Sequence, residues 1–139
     1  MKQLMLAAAL LVVPGIQAGE LMLDFHGNGM AGKQVRIAVY SARAPEQFPS
    51  DERCYRCITQ EAASDRLTLT IADLPSGKYA VAVYVDDNQN GRHDKNLLGI
   101  PQEKYGFSND ARSIFGPPGF SAALFDIGET ARTQSIHIH

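Results

Sequence analysis

The chain has 139 residues, 45% of them hydrophobic, with 13 basic and 15 acidic side chains, a formal net charge of −2 and no tryptophan. A charge so small and so mixed points away from nucleic acid or an anionic membrane as partner. The scarcity of aromatics outside residues 105–125 also argues against a broad stacking platform.

Residues 1–18 read as a secretory signal peptide. Lys2 supplies the positive start, Leu4–Val13 the apolar run, and Gly15-Ile16-Gln17-Ala18 a small-residue cleavage site near Ala18. The apolar run is well short of a membrane span, and no later segment is long or apolar enough for one. No cysteine follows it, so a lipid-anchored N-terminus is not expected. The mature chain, 19–139, is expected to be exported, periplasmic or secreted, and its length suits one domain.

Apolar residues then recur with period two, which predicts strands. Leu21–Phe25 is a first strand, closed by Gly27-Asn28-Gly29. Val35, Ile37 and Val39 alternate with Arg36, Ala38 and Tyr40 in a second, and Leu67, Leu69 and Ile71 mark a third. Pro75-Ser76-Gly77 turns the chain into Lys78–Val85, and Ala122–Ile127 and Gln134–Ile138 supply two more. One short helix is predicted over Asp110–Phe115, capped by Asn109, closed by a left-handed Gly116 and stopped by Pro117-Pro118. The pattern predicts an all-β fold, a single antiparallel β-sandwich (prealbumin-like or immunoglobulin-like) of about seven strands. Two segments, Ser41–Asp65 and Asp86–Phe120, are too long for plain connections.

The second of these opens with Asp86-Asp87-Asn88-Gln89-Asn90-Gly91-Arg92-His93-Asp94. Asx side chains at relative positions 1, 3, 5 and 9, with Gly at 6, match the first three-quarters of a Ca²⁺-binding loop. Asp86, Asn88, Asn90 and Asp94 are the candidate side-chain ligands, and Arg92 can offer its backbone carbonyl. Position 12 is Leu97, where a bidentate Glu would sit, so Glu103 is the candidate to complete the shell. Few carboxylates imply weak affinity, on the order of 10⁻⁴–10⁻³ M. The plain alternative is an Asn90-Gly91 turn with Asx side chains bonding their own backbone.

Cys54-Tyr55-Arg56-Cys57 lacks the βαβ setting of a thioredoxin-type site and the following His of a haem attachment. A local disulfide stapling a long loop is the expected state. A redox role, or a mixed metal site with His26 or His93, is the alternative. Ser108, His93 and Asp94 allow a hydrolase constellation on paper, but no nucleophile-elbow motif surrounds any serine. His137 and His139 alternate with Ile136 and Ile138 and read as a solvated strand face, or otherwise a metal pair. Tyr105–Asn109 and Phe115–Phe120 form either a satellite hydrophobic cluster or a shallow surface for a glycan or peptide.

Several strings occur in one order: Leu74-Pro-Ser-Gly-Lys-Tyr-Ala-Val-Ala-Val, then Asp86–Asp94, then Leu98-Gly-Ile-Pro-Gln-Glu-Lys-Tyr-Gly-Phe-Ser-Asn, then Phe115-Gly-Pro-Pro. Together they resemble the DUF2141 family, exported bacterial proteins without an established activity, from about Leu21 to the C-terminus. The resemblance implies an all-β domain in a Gram-negative periplasm or outside the cell. The chain departs from the family pattern at Cys54 and Cys57, and in carrying Tyr84-Val85 ahead of the acidic loop. The expected function is therefore that of a non-catalytic exported β-sandwich. Its Ca²⁺-stabilised loop would present a surface to an envelope or extracellular protein or glycan. A periplasmic hydrolase with its site in 86–120, or an envelope protein using the cysteine pair for redox or metal handling, is the alternative.

Overall fold

A computed structural model describes residues 18–50, 52–89 and 103–139. Its strands are β1 (Ala18–His26), β2 (Gln34–Ser41), β3 (Arg56–Glu61), β4 (Arg66–Pro75), β5 (Gly77–Asp86), β6 (Tyr105–Phe107), β7 (Phe125–Ile127) and β8 (Arg132–His137). They form two sheets. One has the order β4-β1-β8; the other runs β3-β2-β5-β6, with β7 also on β5. The all-β expectation holds.

Alternation builds the core between the sheets. Leu21, Leu23 and Phe25 of β1 face Val35, Ile37 and Val39 of β2 and Tyr79, Val81, Val83 and Val85 of β5 within one buried cluster, joined by Leu67, Ile71, Leu74, Phe125, Ile127, Ile136 and Ile138. Exposed Met22 and Thr68 show the opposite parity on β1 and β4.

Three expectations need correction. The sheets are not wholly antiparallel, because β8 runs parallel to β1, with Leu21 beside Arg132 and His26 beside His137. Two further strands, β3 and β6, arise inside the long segments and raise the number of strands described to eight. The predicted helix over Asp110–Phe115 is absent; among the described residues a short α-helix, α1, is Phe120–Ala123, which overlaps the start of the stretch expected as strand. Asn109 and Asp110 both take left-handed backbone, φ 59° and 48°, which is incompatible with starting a helix there. Gly116 does take positive φ, 118°, but within a turn.

The outer face of the five-stranded sheet carries a second layer. Tyr40 and Ala80 stand side by side, as do Ala38 and Ala82, and Phe107 pairs with Ala82. Over these small residues Phe48 packs against Tyr40, Phe107 and Phe120 at ring separations of 5.2, 5.7 and 5.4 Å. The Tyr40 hydroxyl donates to the Ser50 carbonyl at 2.7 Å, which ties the 42–50 segment down.

Candidate functional site

The Asx loop leaves the open end of β5. On that strand Ala80, Ala82, Tyr84 and Asp86 share the outer face, so Asp86 points away from the main core, yet its side chain is 0% exposed. Gln34 is opposite Asp86 and Arg36 opposite Tyr84. This register brings Arg36 Nε diagonally to 3.5 Å from Asp86 Oδ2. Burying a carboxylate is costly unless it is paired, and Arg36 supplies that charge. Arg36 Nε itself has no hydrogen-bond partner, so the pair is ionic rather than a formed hydrogen bond.

Glu103, the residue expected to close the loop from a distance, lies at its root. It is only 6% exposed and accepts a hydrogen bond from the Asp87 amide at 2.5 Å. The neighbouring Val85 amide donates to the Lys104 carbonyl at 2.9 Å, so the outgoing and returning chains are laced together. The Asp87 side chain pairs with Lys33 at 2.6 Å, and Gln89 turns the chain with φ 56°. Two buried carboxylates, Asp86 and Glu103, thus stand at the two ends of the excursion. Asn88 is exposed. Asn90, Arg92, His93 and Asp94 lie outside the described residues. Among the described residues no group of three or more His, Cys, Asp or Glu side chains is arranged to hold a metal ion.

The returning segment is anchored by polar side chains. β6 and β7 pair with β5 at Ala82–Tyr84 and Gly77–Tyr79, leaving Ala80 and Val81 between them. Ser108 fills that gap: its hydroxyl accepts from the Val81 amide at 2.9 Å and donates to the Ala123 carbonyl at 2.5 Å. It is fully buried, and these bonds make it a structural bracket between β5 and the segment that follows β6. Asn109 bonds the carbonyls of Ala122 and Leu124 and exchanges bonds with the Gln134 amide. From this fixed base the chain reaches Ile114 and Phe115, which are 92% and 97% exposed. The aromatic segment therefore divides: Phe107 and Phe120 pack in the outer layer, while Phe115 does not.

Cys54 and Cys57 are joined by a disulfide, Cα–Cα 5.8 Å, which leaves no thiol for a metal among them. The link sits where the chain enters β3. Cys57 lies opposite Ala38, and the Tyr55 amide donates to the Val39 carbonyl at 2.8 Å. Burial, with help from Tyr55, pushes the Tyr79 phenol up, against Arg43 and Arg56. His26, proposed as a partner for the cysteines, is instead beside His137 on the other sheet.

That histidine grouping is what the sequence did not reveal. His26 is 5.0 Å from His137, and His137 4.2 Å from His139. The His-Ile-His alternation is visible in the chain; its meeting with His26 depends on the parallel pairing of β1 and β8. At the same end of the molecule Asp65 accepts from the Met30 and Ala31 amides at 2.9 and 3.2 Å. These bonds hold its carboxyl below the usual carboxylate range.

Among the described residues no helix is long and apolar enough to cross a membrane. A search of curated proteins finds no match. Among solved structures, a leucine-rich repeat protein from Bacteroides thetaiotaomicron is similar over 88% of this chain and 12% of that one, with 10% identity and a TM-score of 0.41. A likeness of that size carries no argument about function. The family model described as uncharacterized proteins conserved in bacteria, DUF2141, matches residues 28–135, and the chain belongs to that family.

Proposed function

We propose that this is an exported, non-catalytic binding protein that presents the tip of its 103–120 segment to an envelope or extracellular protein. One observation carries the reading: Ile114 and Phe115 stand side by side in solvent on a base fixed by Ser108, Asn109 and Phe107. Single exposed apolar residues are ordinary, whereas adjacent large ones on an anchored loop mark a contact surface. The signal-peptide pattern of residues 1–18 supports export. Cleavage after Ala18 would remove only the first residue of β1.

The same reading has the 86–103 excursion steadied by Ca²⁺, with Asp86, Asn88, Asn90, Asp94, Glu103 and the Arg92 carbonyl as its donors. Support comes from Glu103, a second buried carboxylate, which accepts from the amide of Asp87, next in sequence to Asp86. Against it, an ion on Asp86 would compete with Arg36. Calcium would supply only charge neutralisation and order there; the carboxylates and Asx oxygens do the holding.

The test is thermal unfolding of the protein after chelation, titrated with Ca²⁺ and with Mg²⁺ as control. Ligand at a hundred times its dissociation constant adds about 2.7 kcal/mol, a rise of several degrees for a domain this size. Asp94→Asn should abolish the rise without lowering the melting temperature of the chelated protein. Asp86→Ala is a poor substitute, because it also strands Arg36. No shift at millimolar Ca²⁺ would leave an Asx turn closed by Glu103.

A further inference from the structure

His26, remote in sequence, meets the His137 and His139 pair at one end of the three-stranded sheet. His26 ends β1 and His137 ends β8, in register, and His139 follows two residues on. As the rings stand, no three ligands among the described residues surround a point that an ion could occupy. What distinguishes the cluster is the backbone beneath it. The His139 amide donates to the Tyr105 carbonyl at 3.0 Å, and the Tyr105 amide donates to a main-chain oxygen of His139 at 3.1 Å. Asp110 Oδ1 accepts from the His137 amide at 2.9 Å. A Cβ on Gly106 would meet the His137 carbonyl at 2.5 Å, so glycine is required for this approach. These bonds fasten β8, an edge of one sheet, to β6, an edge of the other.

We propose that His26, His137 and His139 form an acid-sensitive clasp between the two sheets. The rings pack edge-on and tilted. Histidine is the side chain that gains charge between about pH 8 and 5, and imidazolium charges 4–5 Å apart repel. Of the other charged groups facing the cluster, Asp110, whose oxygen holds the His137 amide, opposes this repulsion and Arg112 adds to it. On β4 Arg66 lies opposite His26 and is bound to Asp24 through two bonds of 2.9 Å. Lys104, just before β6, is held by the Asn28 carbonyl.

Desolvation beside its neighbours, then Arg112 and His137, hold the His139 imidazole below the usual histidine range, with Asp110 opposing. A base depressed in the folded state binds fewer protons there than when unfolded. Its stabilising contribution is therefore complete above the unfolded value of 6.5 and is lost as pH falls below it. Release would leave the end of β8 and the start of β6 as open edges.

The experiment is residue-resolved amide hydrogen exchange on the full chain at about pH 7.5 and 5.5, corrected for the intrinsic dependence of exchange on pH. Protection at the Tyr105, His137 and His139 amides should fall about tenfold at the lower pH, the scale of repulsion between half-exposed charges at this separation. Amides of Leu23 and Val83 should keep theirs. The triple variant H26Q/H137Q/H139Q should hold the three joint amides equally at both pH values. If it fails to fold, His139→Gln alone, at an exposed site, should diminish the response. Unchanged protection in the natural chain, equal loss at Leu23 and Val83, or an undiminished response in the glutamine variants would overturn the proposal.

Discussion

The outer faces of the two sheets have been treated in opposite ways. On the three-stranded sheet β1 keeps strict alternation: Leu21, Leu23 and Phe25 are buried, while Met22 is exposed. Its outer side holds the Asp24–Arg66 pair and the histidines, open to water. On the five-stranded sheet β5 is buried from both sides over most of its length, because Phe48, Phe107 and Phe120 roof a floor of Ala38, Ala80 and Ala82. Alanine at the outward positions of β5 makes room for rings. The lesson is that the same period-two strand can be half-buried or fully buried, depending on whether its outward residues are polar or merely small.

Substitutions can break that comparison. Phe25→Ala in the core between the sheets should cost the most, about 3–5 kcal/mol in denaturant unfolding. Phe48→Ala removes the ring that touches Tyr40, Phe107 and Phe120, yet Phe48 is only half-buried, and the loss should be nearer 2 kcal/mol. Equal costs would mean that the roof is as much a core as the interior. Ser108→Ala should cost about 1–3 kcal/mol by leaving the buried Val81 amide without an acceptor, again measured by unfolding. A neutral result would show that the roof is not pinned through this hydroxyl.

Smaller effects fall on the open side. Asp65, whose carboxyl is depressed by the Met30 and Ala31 amides, contributes stability that is present above its unfolded value of 3.8 and is lost as pH falls through the folded one. Asp65→Asn should lower stability at pH 7 and flatten its dependence on acid in that window, as melting temperatures across pH 2–7 would show. Smallest of all, the double substitution I114S/F115S should change stability by no more than about 0.5 kcal/mol, since both side chains are in water. A larger loss would place them in the roof rather than at a contact surface.

Particular residues show what could be read early. Val35, Ile37 and Val39, or Leu21, Leu23 and Phe25, announce their strands because alternation and burial coincide. β3 gives no such signal: of Arg56–Glu61 only Ile58 is even half-buried, since an edge strand is held by backbone pairing with β2 rather than by its side chains. β6 is three residues long, too short for any period. The predicted helix fails because Asn109 and Asp110 are drawn into left-handed backbone by bonds to Ala122, Leu124, Gln134 and the His137 amide, all remote in sequence. Glu103 was legible as a ligand candidate; its seat at the loop root required knowing that Lys104 returns beside Val85.

By itself the sequence determined the all-β class, the alternating faces of β2, β4 and β8, the turn at Pro75-Ser76-Gly77 and the family. All are local or periodic properties, set by side-chain parity and turn chemistry. Only the tertiary structure decided that β8 lies parallel to β1, that Ser108 is a bracket, that Asp86 is paired with Arg36, and that three histidines share one joint. Each of those depends on which strand edges meet, and the energy that selects edge pairing comes from the assembled core rather than from either partner alone.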